Sequence, residues 1–192
     1  MQQRSEETRT HILEAALKRF AVHGYDAASV DQICSDAGVS KGAFYHHFPS
    51  KQDIFLELLQ GWLGAIDAGF DAVRQPTVPE TLMQMTSTLP AIFASADDRL
   101  LMFLEFWLQA SRDEKIWEAT ISPYRHYREY FANLIQQGIN EGSFSPVNPQ
   151  SAAQMIVSLA VGLLLQGLLD PSGADWERVG RESMQVILKG LQ

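Results

Sequence analysis

The stretch SVDQICSDAGVSKGAFYHHFPSK, residues 29–51, decides how this chain reads. Ser29 is followed three positions later by Gln32, the spacing in which two side chains satisfy each other's helix-start amides. A short helix is predicted from there, with Val30, Ile33, Cys34 and Ala37 turned inward. Gly38 stops it, because glycine tolerates the left-handed backbone of a helix end. Val39 is expected as a buried turn residue. Ser40 then caps a second short helix that carries Phe44 and ends near Phe48-Pro49. Ser50-Lys51-Gln52-Asp53 repeats the capping pattern and opens a longer helix. Two short capped helices around a glycine turn are the parts of a helix-turn-helix.

The second of these helices is too short to be stable alone and offers mostly small or polar surface. Such a helix is useful if it projects into a groove, and the major groove of B-DNA admits one helix. Lys41 lies in its first turn, where side chains and backbone amides meet phosphate or base edges. Gly42 lets the backbone come close, and Tyr45 and His46 lie one turn further on. Lys51 opens the next helix, where its charge works against the helix dipole. That local cost calls for another partner, and phosphate is the expected one. The charge distribution supports this reading. The 192-residue chain carries a net charge of −8, yet residues 1–51 hold equal numbers of basic and acidic groups, and Ser40 to Lys51 contains no acid. A basic element is attached to an acidic body, whose repulsion from DNA limits binding to one face.

Outward from the motif the periodicity is helical. Ile12, Leu13, Ala16, Leu17 and Phe20 form the stripe of an amphipathic first helix, with Ser5 as its expected cap and Gly24 as its end. The fourth helix is expected from Lys51 to about Val73. Further helices are expected from Pro79 to Ser95, from Asp97 or Asp98 to Ala110, from Pro123 to Gly142, from Pro149 to Leu169, and from Asp175 to Gly190. The fold class is therefore all-α with about nine helices: a helix-turn-helix domain over residues 1–50 and a larger helical domain over 51–192.

Several classes fall away. With 46% hydrophobic and 20% charged residues the chain can bury a core and is not globally disordered. One cysteine, Cys34, excludes a disulfide framework and suits a cytoplasmic location. The apolar run Met155 to Leu169 falls short of the roughly 20 residues a membrane span needs, so a buried helix is expected and no membrane partner. No phosphate loop, nucleophile elbow or paired metal-ligand spacing is present, and His46-His47 are adjacent, a poor geometry for one ion. The expectation is no enzyme, no cofactor and no metal.

The run from Val39 to Lys51, with Ile12-Leu13, Ala15-Ala16, Phe20, Gly24-Tyr25 and Ser29-Val30 before it, resembles the signature of the TetR family of repressors over residues 8–58. The resemblance implies that Lys41, Gly42, Tyr45 and His46 meet DNA on the recognition helix, and that His47, Lys51 and Ser29 hold phosphate. Asp31 is an acid near that surface and is read as supporting its own helix start. The resemblance also implies a dimer on a palindromic double-stranded operator and a C-terminal domain that binds a small effector. Repression is the commoner sign of regulation in the family.

The residues of that domain support both roles. Met85, Phe93, Met102 and Phe106 are candidates for a pocket wall, together with Trp107, Tyr124, Tyr127 and Phe131, because effector pockets are apolar and lie between helices. An apolar or aromatic effector suits them. Residues 152–169 are apolar on nearly every side, so one face is expected against a second subunit. The candidates there are Ile156, Leu159, Leu163, Leu164 and Gly167, joined by Trp176, Ser183 and Ile187 of the last helix. The alternative reading is a regulator, or a helix-turn-helix scaffold, without an effector.

Overall fold

The structure is a computed structural model and describes residues 2–96, 104 and 114–192. The expected helix from Asp97 or Asp98 to Ala110 lies outside them. The described residues are helical with no strand. They form α1 (Gln2–His23), α2 (Val30–Ala37), α3 (Lys41–His47), α4 (Lys51–Ala72), α5 (Val78–Met85), a 3₁₀ turn (Thr86–Thr88), α6 (Leu89–Ala96), α7 (Glu114–Asn140), α8 (Pro149–Leu169) and α9 (Trp176–Leu191). The all-α expectation holds.

Three boundaries differ from expectation. α1 begins at Gln2, so Ser5 lies inside the helix and does not cap it. The helix expected from Pro79 to Ser95 is interrupted at Thr86–Thr88. Pro90 has no N–H for the Thr86 carbonyl and its ring crowds that carbonyl. The three hydroxyls there fold back instead: Thr86, Ser87 and Thr88 each donate to the carbonyl three residues earlier, at 2.7 Å. Pro123, expected at the start of a helix, lies inside α7. It removes one hydrogen bond, to the Ala119 carbonyl, from a 27-residue helix that continues past it.

The chain divides into two compact units, residues 1–64 with 96–119, and residues 65–95 with 120–192. A cut at residue 50 would split the first, because Ile54, Phe55, Leu59 and Trp62 of α4 are buried and Phe55 meets Tyr25 edge-on at 5.6 Å. Its core is completed by Ile12, Ala16 and Phe20 of α1, Ile33 and Cys34 of α2, and Phe44 of α3. In the second unit, α5, α7, α8 and α9 close around Leu82, Met85, Ile135, Ile156 and Leu188.

α8 is not buried on all sides. Ala152, Ala153, Ile156, Val157, Leu163 and Gly167 face inward, whereas Met155, Leu165 and Leu169 are exposed. By length and composition alone this 21-residue helix is apolar enough to cross a membrane, with a third of its most apolar window buried within the chain. The polar first turn lengthens it beyond the apolar run read from sequence.

Candidate nucleic-acid interface

The helix-turn-helix is built by its caps. The Ser29 hydroxyl accepts from the Gln32 amide at 3.3 Å, and the Gln32 side chain accepts from the Ser29 amide at 3.0 Å. Gly38 ends α2 with φ of 67°, in the left-handed region that glycine favours. Val39 is half-buried in the turn. Ser40 accepts from the Ala43 amide at 3.2 Å and starts α3. One side of α3 then points inward: Phe44 is wholly buried and meets Phe48 at 6.3 Å. The other side is open, with Lys41, Gly42, Tyr45 and His46 exposed and His47 half-buried. Gly42 is not required by the protein's own packing, because a Cβ there would meet only the Ser40 hydroxyl, at 3.8 Å.

Ion pairs hold the supporting helices. Arg19 of α1 and Asp36 of α2 form a two-point pair, which holds the Asp36 carboxyl below its ordinary range. Arg9 joins Glu57 of α4 and lies 5.3 Å over the Phe48 ring. Lys41 pairs with Asp31 across α2 and α3, and that hydrogen bond and charge raise the lysine's pKa. Asp31 therefore pairs with the first residue of α3 while standing in the first turn of its own helix. Cys34 is buried, and burial pushes its thiol pKa up, so it packs as a small apolar side chain.

Lys51 has the partner its position calls for, but inside the protein. Its Nζ donates to the carbonyl oxygens of Tyr25 at 2.6 Å, Ala28 at 2.9 Å and Asp26 at 3.4 Å.

In the second unit the aromatic candidates separate. Tyr124, Tyr127 and Phe131 share a face of α7, and Phe70 of α4 meets Tyr127, Tyr130 and Phe131 at 6.0–6.2 Å. Met85 and Phe131 are buried in the same core. Phe93 lies elsewhere, against Gly167: a Cβ there would come within 2.6 Å of its ring. Met102, Phe106 and Trp107 lie outside the described residues. Sequence reading missed what stands beside this face. Asp67 pairs with His126 at 3.5 Å, and burial, then Asp67, raises the Tyr127 pKa. Burial pushes Tyr124 up to about 12. The Tyr130 hydroxyl is buried, and the Arg74 guanidinium stands near its ring. A surface cavity of about 390 Å³ is lined, among the described residues, by Arg128, Gln150, Ser151 and Gln154, none of them an expected wall residue.

Of the eight expected subunit contacts, Ile156, Leu163, Gly167 and Ile187 are buried within the chain's own second unit. They fall on the inner side of α8 and α9 because the core cluster and Phe93 occupy that side. Leu159, Leu164, Trp176 and Ser183 are half-buried, and the outward apolar side chains are Met155, Leu165, Leu169 and Val186.

The family model described as "Bacterial regulatory proteins, tetR family" matches residues 12–58, and that described as "BetI-type transcriptional repressor, C-terminal" matches residues 80–189. The chain is 23% identical over 185 residues to the HTH-type transcriptional repressor KstR2 of Mycolicibacterium smegmatis, covering 95% of this chain and 90% of that one. The structure resembles a solved TetR transcription regulator from Haloarcula marismortui, with TM-score 0.83 at 17% identity over 97% of this chain and 98% of that one. It also resembles a solved transcriptional regulator from Saccharomonospora viridis in complex with choline. There the TM-score is 0.78 at 25% identity, over 96% of each chain.

Proposed function

The chain belongs to the TetR family of bacterial regulatory proteins, and on that premise we propose that it represses transcription as a dimer that leaves its operator when a small molecule binds the second unit. The observation that carries the DNA half is α3, capped by Ser40, with Lys41, Gly42, Tyr45 and His46 on its open side. Ser29 and His47 flank that side and take phosphate. Two such helices enter successive major grooves roughly 34–36 Å apart, on a palindrome. The protein works in the cytoplasm, where its operator is. Anisotropy titration of a palindromic operator tests this reading: binding weakens steeply with salt, and Lys41→Ala costs about 1–3 kcal/mol and relaxes sequence preference. Equal affinity for operator and random DNA overturns it.

The dimer forms through the outer side of α8 and α9. Leu169 and Val186 are 73% and 70% exposed there, and exposed apolar side chains that gather in a patch mark interaction sites. Sedimentation of Leu169→Glu with Val186→Glu yields a folded monomer. An undisturbed dimer overturns the interface.

The effector meets the aromatic face of Phe70, Tyr124, Tyr127 and Tyr130, which suits an apolar or aromatic compound. A quaternary ammonium ion is the second reading. The Arg74 guanidinium already stands 5.9 Å from the Tyr130 ring, Asp67 lies beside Tyr127, and the similar regulator from Saccharomonospora viridis holds choline. The chain of α4 is shared by both units, so a ligand that tilts it shifts the population away from the DNA-competent spacing. Thermal-shift titration with choline and with neutral aromatic compounds separates the two readings. Each hit is then titrated with and without operator; a coupling of about 1–3 kcal/mol weakens it roughly 5–150-fold. Equal affinity in both titrations means that the site is not coupled to DNA.

A further inference from the structure

Attraction to phosphate does not account for Asp31. Residues 29–51 contain two acids. Asp36 is taken by the two-point pair with Arg19 of α1. Asp31, in the first turn of α2, reaches across the turn to the Lys41 ammonium at 2.5 Å. The two side chains stay 66% and 61% exposed. An exposed pair of this kind adds little to stability, so the fold gives no strong reason for it and either end re-partners at small cost. Duplex DNA carries one negative charge per roughly 1.7 Å of its axis. A carboxylate on the open side of the motif is repelled by any duplex that does not offer it a donor.

The major groove offers two such donors, cytosine N4 and adenine N6, and they differ in their neighbours. Across the groove a G·C pair shows two acceptors and then a donor: guanine N7, guanine O6, cytosine N4. An A·T pair shows a donor between two acceptors: adenine N7, adenine N6, thymine O4. A carboxylate on adenine N6 therefore meets an acceptor on each side. On cytosine N4 it has one acceptor neighbour, guanine O6, and an ammonium can take that oxygen together with N7. Cytosine N4 and guanine O6 are hydrogen-bonded to each other, hence about 2.9 Å apart. The Asp31 carboxylate and the Lys41 ammonium stand side by side at a similar spacing. We propose that the two side chains together read one G·C base pair in each half-site, Lys41 donating to guanine O6 and N7 and Asp31 accepting from cytosine N4. Asp31 is then a specificity-determining residue, because it penalises duplexes that lack this base pair. The assignment deepens the DNA-binding reading and rests on α3 entering the major groove.

The test uses a fully randomised duplex pool, enriched separately by the full-length protein and by its Asp31→Asn, Asp31→Ala and Lys41→Met variants, each shown by circular dichroism to be folded. Wild type is expected to select a palindrome with this G·C pair fixed in each half. Asp31→Asn moves that position to A·T, since an amide accepts from adenine N6 and donates to N7. Asp31→Ala and Lys41→Met relax the same position and retain the rest of the palindrome. Titration of the selected palindrome against one with that pair replaced by A·T shows at least about tenfold discrimination by wild type and under about threefold by Asp31→Ala. Selection of the wild-type palindrome by both Asp31 variants overturns the inference and leaves the pair a surface contact. Relaxation of different positions by the Asp31 and Lys41 variants overturns it as well. If wild type enriches no sequence, the DNA-binding reading itself fails and takes the inference with it.

Discussion

Gly38 in the helix-turn-helix and Gly138 in the second unit are both glycines near helix ends, and they are there for opposite reasons. Gly38 has φ of 67° and open space where a Cβ would stand. Its need is local: the backbone must turn left-handed between two helices, and any larger residue is strained whatever surrounds it. Gly138 lies within α7, at no such φ, but a Cβ there would come within 2.3 Å of the Phe144 ring. Its need is set by a side chain from the loop beyond the helix. The first kind of constraint is written in the residue and its neighbours; the second exists only once the chain has folded back.

The largest effect that sharpens this contrast is Phe44→Ala. Phe44 is wholly buried and is what α3 inserts into the first unit, so the cavity costs about 3–5 kcal/mol. Chemical denaturation is expected to show that loss, with operator binding abolished wherever the first unit is unfolded. A cost under 1 kcal/mol would mean that the caps alone hold α3.

Gly138→Ala comes next. Helix propensity by itself favours alanine by about 1 kcal/mol. The Phe144 ring reverses the sign, and overpacking costs about 1–3 kcal/mol. Gly138→Ala combined with Phe144→Leu is expected to cost less than the sum of the two single changes, as contacting sites do. Strict additivity would break the claim that the constraint is tertiary.

Gly38→Ala costs about 1–2 kcal/mol through the left-handed backbone alone. No neighbouring substitution should rescue it, since none of the described residues beyond its chain neighbours lies within 4 Å of the added carbon. A suppressor by repacking would show that Gly38 belongs with Gly138 after all.

The smallest effect concerns Asp31. An exposed ion pair contributes up to about 1 kcal/mol. Asp31→Asn releases Lys41 from its pair and is expected to raise affinity for random DNA by up to roughly fivefold, with little change in melting temperature. Weaker binding to random DNA would show that Asp31 instead aims Lys41 at the duplex.

Legibility follows the same division. The Ser29 and Ser40 caps, the Gly38 stop and the inward Phe44 were readable because each is a relation among residues within four positions. So were the starts of α8 at Asn148-Pro149 and of α9 at Asp175. The break at Thr86–Thr88 had a local signal in Pro90 that the helical periodicity masked. The interior course of α7 past Pro123 had a signal that pointed the wrong way, since proline suits a first turn better than a helix interior.

By itself the sequence determined the all-α class, the helix-turn-helix and the residues on its open side, because caps, left-handed turns and apolar spacing act over a few residues. Only the tertiary structure decided which side of α8 faces inward, since that helix is apolar nearly all round and its periodicity leaves both sides equivalent until Phe93 and the core take one. It also decided that Asp31 holds Lys41, a contact across the turn. And it gave Lys51 to the carbonyls of Tyr25, Asp26 and Ala28, since a charge at a helix start declares that it needs a partner and not which one, and those carbonyls lie 23–26 positions earlier in the chain.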